Sequence, residues 1–346
     1  MENNNEGKNG KENAHNNQIP ETNNNANIPM EIEIENDNSK KEETKLNSKD
    51  LKSSGLEVFS STSTLASNNS CNLSESIEKQ KERAINFKYN VEYNQDIYDY
   101  LILDEKNANL KIKSNYMLNQ IEINQLMRSI LVDWIIEVHN SFHFKPKTLF
   151  QTVYIIDLFL SYENIEKRNL QLLGIASFLI ACKENEIVVP TLQQFIELTN
   201  YAYQKKDLLK MENKIMHVTE FEILIPTAEE FYSILSKTYN FTEKQYELGN
   251  YFLDSSLVDY GLLKYQPSTI GVATAYIVMK FYGINGYRDL YSSKMTNADS
   301  PQRAIKDCAR DLCFFVRNLS NSNLLAAKNK YSSVEHGNVA AICEEN

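Results

Sequence analysis

Few side chains in this sequence stand at spacings that chemistry would use. His139 and His143 are four apart, as two zinc ligands on one helix face would be. The glutamate of H-E-x-x-H is missing, and 144-FKP-146 ends the helix, so no metal is expected there. The five cysteines (Cys71, Cys182, Cys308, Cys313 and Cys343) form no C-x-x-C pair, and two of them sit inside helical apolar patterns, which argues against disulfides or zinc. No Gly-rich phosphate loop, nucleophile signature or carboxylate–histidine cluster occurs, so neither an enzyme nor a cofactor protein is expected.

What remains is charge set among apolar residues. In 127-MRSILVDWIIEV-138, which holds the only tryptophan, Met127, Ile130, Leu131, Trp134 and Val138 fall on one side of a helix. Val132, Ile135 and Ile136 spread round another, and only Ser129, Asp133 and Glu137 form a polar wedge. A surface helix needs one apolar stripe, so this one either crosses a core or keeps a second face for a partner. Arg128, between apolar neighbours, needs a buried carboxylate.

The surrounding chain is organised to position that helix. Residues 1 to about 88 are rich in Asn, Ser, Glu and Lys and too poor in apolar side chains to offset the entropy of ordering, so a disordered tail is expected. From Tyr89 the apolar periodicity is helical, with helices expected at 92–104, 121–143, 147–161, 166–184, 191–199, 204–219, 227–239, 242–259, 267–283 and 300–318. Pro146, Pro190, Pro226, Pro267 and Pro301 lie at their starts. The stretch 173-LGIASFLIACK-183 repeats as 270-IGVATAYIVMK-280 at a constant offset, each copy nearly all apolar with small residues. That is the pattern of a central helix in a duplicated helical domain. A tail at 1–88 and two tandem all-α domains at 89–225 and 226–346 account for the chain. Net charge is −10, so no sequence-wide drive toward nucleic acid or anionic lipid exists. No apolar run approaches the roughly 18 residues of a membrane span.

Several stretches in order resemble the cyclins of the A/B, mitotic type: 97-IYDYL-101, 115-NYMLNQIEI-123, MRSILVDWIIEV, 155-IIDLFLS-161, 170-LQLLGIASFLIACK-183, 211-MENKIMHVTEFEI-223, 259-DYGLLKYQPSTIG-271 and 330-KYSSVEHGNVA-340. The resemblance implies two five-helix cyclin folds, no catalytic site, and a cyclin-dependent protein kinase as partner, activated by holding its mobile helix and activation segment in the active arrangement.

Carried over residue by residue, the resemblance pairs Arg128 with Asp157. It assigns kinase contacts to Lys183, Glu184 and Glu212, and to Tyr93, Ile97, Met216, Phe221 and Ile223. At Glu184 and Asn185 the sequence departs from the family, which carries an aromatic and then an acidic residue there. An aromatic at an interface centre is a typical hot spot, so kinase choice is affected. Ile135, Val138 and the side near Arg128 and Val132 are expected to pack within the first domain. Met127, Leu131 and Trp134, with Ile130, Glu137 and Gln171 at the rim, are expected to form a shallow groove for Arg-x-Leu segments of substrates or inhibitors. Without the resemblance, the same residues read as core.

The tail triplet Lys11-Glu12-Asn13 resembles a degron read by the mitotic ubiquitin ligase, and equally follows from composition. Ser300-Pro301-Gln302-Arg303 matches the minimal consensus of the implied kinase, although Ser-Pro also suits a helix start. A nuclear and cytoplasmic protein is expected. The rival reading, a transcription factor holding promoter DNA with the same duplicated fold, would want a basic face and a zinc ribbon that the sequence lacks.

Overall fold

The computed structural model describes residues 93–108, 111–319 and 322–344. The triplet Lys11, Glu12 and Asn13, and the expected boundary at residue 88, lie outside them. Among the described residues all regular structure is helical. Helix α1 (Asn94–Asn107) precedes a first set made of α2 (Gln125–Phe142), α3 (Pro146–Tyr162), α4 (Leu170–Asn185), α5 (Leu192–Leu198) and α6 (Lys205–Val218). A second set follows: α7 (Ala228–Thr238), α8 (Glu243–Val258), α9 (Pro267–Phe281), α10 (Pro301–Leu319) and α11 (Ala326–Tyr331), then α12 (Val339–Glu344).

Local chemistry sets the helix ends. The Asn124 side chain accepts from the Met127 amide and starts α2 four residues later than periodicity predicts. Residues 167–169 form a tight 3-10 turn, so α4 starts at Leu170 rather than near 166. Pro146, Pro267 and Pro301 open their helices. Pro190 and Pro226 instead stand just before the capping-box threonines Thr191 and Thr227, whose side chains bond back with Gln194 and Glu230. Helices α11 and α12 were not expected from the sequence, because they are too short to show a period.

The two repeat helices, α4 and α9, run through the middle of their sets and are buried along nearly their whole length. The aligned glycines let a neighbour in. A Cβ on Gly174 would meet Leu131 Cδ1 of α2 at 2.7 Å, and one on Gly271 would meet the Ala228 carbonyl at 2.6 Å and Phe231 Cβ of α7 at 2.8 Å. Each repeat helix thus touches the opening helix of its own set at the same place.

The sets are joined by polar bonds. Ser129 Oγ donates to the Val258 carbonyl at 2.8 Å, and Asp133 Oδ1 accepts from the Ala326 amide at 3.0 Å. Ser129 and Asp133 of the polar wedge therefore face the second domain, as does Arg128 Nη1, which bonds the Leu257 carbonyl, a correction to the expectation that the side near Arg128 packs within the first. Sequence pattern gives no sign of which domain a helix face meets. Lys147 on α3 pairs with Glu230 on α7 at 2.7 Å. Helix α1 is anchored on the second set: Tyr98 Oη donates to the Met295 carbonyl at 2.8 Å, and Glu105 accepts from the Ser268 amide and hydroxyl at the start of α9.

Two titratable groups on α2 work in opposite directions. His139 is buried, with Nε2 bonded to the Lys145 carbonyl at 2.9 Å and Nδ1 unpartnered; burial and the nearby Lys330 charge hold its pKa down to about 4 from 6.5. The unfolded chain takes up that proton first, so stability falls as pH drops from 6.5 toward 4. Asp133 is pushed up to about 6 by burial, so the folded state takes up its proton first and gains stability as pH drops through 6. Asp133→Asn removes the compensation and should steepen the loss of melting temperature between pH 7 and 5. His139→Gln should flatten it. Parallel pH profiles for both variants and the parent would refute the assignment.

Candidate functional site

Arg128 and Asp157 are the most deeply buried ion pair among the described residues. Nε donates to Oδ1 at 2.7 Å and Nη2 to Oδ2 at 2.6 Å, a bidentate fork with each side chain 1% exposed. Tyr116 Oη donates to Asp157 Oδ1 at 2.7 Å, and Arg128 Nη1 donates to the Leu257 carbonyl at 2.8 Å. Each guanidinium nitrogen and each carboxylate oxygen has at least one partner, and the pair joins α2, α3 and the end of α8.

The opposite side of α2 carries the residues expected to form a groove. Met127 is 3% exposed, Trp134 is 4% exposed and Leu131 is fully buried against Gly174. Leu131 is core, because the missing Cβ of Gly174 makes room for its methyl there. Met127 and Trp134 expose only edges. Ile130, Glu137 and Gln171 are half-buried, as rim residues would be. The Trp134 Nε1–H finds no acceptor in the protein. Burial raises the pKa of Glu137.

At the far end of α4, Lys183 pairs with Glu212 of α6. Met216 and Phe221 stand together, the Phe221 amide donating to the Met216 carbonyl at 3.0 Å, and the Phe221 ring is exposed. Ile223 does not belong with them: it is 7% exposed, and Leu224, 59% exposed, is the side chain its segment presents. The segment is turned that way because Gln151 Nε2 of α3 donates to the Ile223 carbonyl at 3.3 Å. Asn185 donates to Gln151 Oε1 at 2.6 Å, while Glu186 accepts from the Lys145 amide at 2.9 Å at the start of α3. The departure at Asn185 thus has a structural use, tying α4 to α3 and through it to the 223 segment. Glu184 is exposed. Tyr93 and Ile97 are exposed at the start of α1, which packs on α7 and α9. No helix of the described residues is long and apolar enough to cross a membrane, and no group of three metal-ligating side chains occurs among them.

Residues 96–224 match the family model described as cyclin, N-terminal domain, and residues 226–345 match cyclin, C-terminal domain. The G2/mitotic-specific cyclin-2 of Medicago sativa is 32% identical over 255 residues, 73% of this chain and 76% of that protein. The chain belongs to the cyclin family. Cyclin-B2-1 of Arabidopsis thaliana is 32% identical over 254 residues, 73% of the chain but 58% of the relative, so this cyclin spans little more than half of that protein's length. Among solved structures, a viral cyclin from herpesvirus saimiri superposes with a TM-score of 0.51 at 19% identity, covering 68% of this chain and 97% of that one, a likeness of fold.

Reading the cyclin's sequence alone missed Leu224 and the Asp133–Ala326 bond. Alternation of exposed and buried residues in the irregular 219–226 segment follows no helical period, so no pattern could have marked Leu224. Asp133 could have been flagged as a carboxylate on an otherwise apolar helix.

Proposed function

We propose that this cyclin binds and activates a cyclin-dependent protein kinase, helps to recruit its substrates, and acts around G2/M in nucleus and cytoplasm. The observation that carries the reading is a set of large apolar side chains, Tyr93, Ile97, Phe221 and Leu224, left in solvent. Relatives whose names read G2/mitotic-specific support the stage. The Lys183–Glu212 pair is the second element: an ion pair formed in advance is held ready for charges of the partner at lower entropic cost than two free side chains.

The test is phosphorylation of a histone-type peptide by cyclin-dependent kinases of the same cell, with and without the protein. Activity from the isolated chain, or no stimulation of any such kinase, defeats the proposal. Exchanging the charges, Lys183→Glu with Glu212→Lys, keeps the internal pair and should leave the melting temperature unchanged, while calorimetric affinity for the kinase falls by about 2–5 kcal/mol. A lower melting temperature with unchanged affinity would make the pair structural only.

Recruitment is proposed to use the edges of Met127 and Trp134 between Ile130, Glu137 and Gln171. One observation supports it: half-buried Glu137 suits the arginine of an Arg-x-Leu segment. Turnover through the mitotic ubiquitin ligase is proposed to run through Lys11, Glu12 and Asn13. Changing all three to alanine should lengthen the lifetime at mitotic exit in a cycloheximide chase, and equal half-lives would show the triplet to be compositional.

A further inference from the structure

Helix α10 turns an unusual face to solvent for an acidic protein. Its buried side, Ile305, Cys308, Leu312 and Val316, packs on α8 and α9. On the outer side Arg303, Lys306, Arg310, Phe314 and Arg317 follow one another at helical spacing, and all five are exposed. Asp307 is the acidic residue among them; it pairs with Arg303 at 3.6 Å and Arg310 at 3.0 Å, so Arg303, Lys306 and Arg310 together keep an excess of two positive charges over it. Asp311 at the edge is already engaged by Lys264 and Tyr265 Oη. Lys306 also lies over the Tyr291 ring. In the middle of this basic stripe the Phe314 ring is 71% exposed.

The same chain carries the complementary pattern. In 31-EIEIEND-37, Glu31, Glu33, Glu35 and Asp37 alternate with Ile32 and Ile34. Alternate residues of an extended segment are roughly 7 Å apart, close to the roughly 6 Å between Lys306, Arg310 and Phe314 along the helix. The isoleucines would meet the exposed ring. The connection is long enough. Tyr98 of α1 is bonded to Met295, six residues ahead of α10, so the start of the described region is tied to the second domain, which carries the stripe. The 55 residues 38–92 lie between, and the contour length available to that many residues, at most roughly 3.3 Å each, far exceeds the roughly 28 Å of the whole of α10. A segment carried on the same chain meets the surface at a higher effective concentration than a free peptide would, which favours a weak electrostatic contact.

We propose that the basic, phenylalanine-centred face of α10 is a docking surface for the acidic Glu31–Asp37 segment of the same chain. The contact lies on the second domain, whereas Lys183 and Glu212 lie on the first.

The experiment is zero-length carbodiimide cross-linking of the full chain, read by mass spectrometry. Lys306 should join Glu31, Glu33 or Glu35 with a yield about fivefold above that of exposed Lys237 and Lys244, as tethering at high effective concentration predicts. The excess should vanish in the Arg303→Ser, Arg310→Ser double variant, which keeps Lys306, and in about 1 M salt, where screening shortens to about 3 Å. Equal yields at the three lysines overturn the proposal. So does an equal mixture of isotopically light and heavy chains in which about half of the products are light–heavy, the random-pairing value, because the occupant would then be a second copy.

Discussion

Arg128→Ala should destabilise the protein by about 3–5 kcal/mol, since removing one partner of a buried pair strands the other charge. Asp157 would keep only the Tyr116 hydroxyl, and the Leu257 carbonyl would lose its donor, so the loss reaches across both domains. The guanidinium itself stays charged: burial opposes the charge, but Asp157 outweighs it and moves the pKa upward. Asp157→Asn should be comparably harmful, because it leaves a buried cation. The double replacement Arg128→Met with Asp157→Leu should recover much of the loss, because uncharged side chains of similar size remove the desolvation penalty. Urea unfolding of the four proteins measures this directly. A loss below about 1 kcal/mol for Arg128→Ala, the range of exposed pairs, would mean that the fork is open to water.

Trp134→Ala carries the second large effect, a loss of about 3–5 kcal/mol. The ring is 4% exposed, and truncation leaves a hole between helices that the rigid α2–α4 contact at Gly174 cannot close. Met127→Ala should lose about 2–5 kcal/mol for the same reason. Neither variant can therefore test peptide recruitment, because weak binding would follow from poor folding. The rim variant Glu137→Lys separates the two. It should keep the melting temperature while affinity for Arg-x-Leu peptides drops, and unchanged peptide affinity would remove the recruitment proposal. Conversely, a stable Trp134→Ala protein would show that the ring lies on the surface rather than in the core.

By itself the sequence determined the helical class, the ten longer helices, the duplication and the family, because each is written as a period along the chain. Apolar residues three or four apart specify a helix wherever they occur, and the repeat around Gly174 and Gly271 needs no partner to be seen. The need of Arg128 for a carboxylate was legible too, since no isolated guanidinium survives burial. What only the tertiary structure decided is which way each face looks. A helix wheel cannot tell a domain core from a domain interface, because both exclude water. Hence Ser129 and Asp133, polar on a wheel, turned out to hold the second domain, and Leu131, a groove residue by resemblance, turned out to be core. Outside helices even the wheel is lost. Ile223 is turned inward and Leu224 outward by one bond from Gln151, a residue 72 positions away, and no local pattern encodes a contact made at that distance.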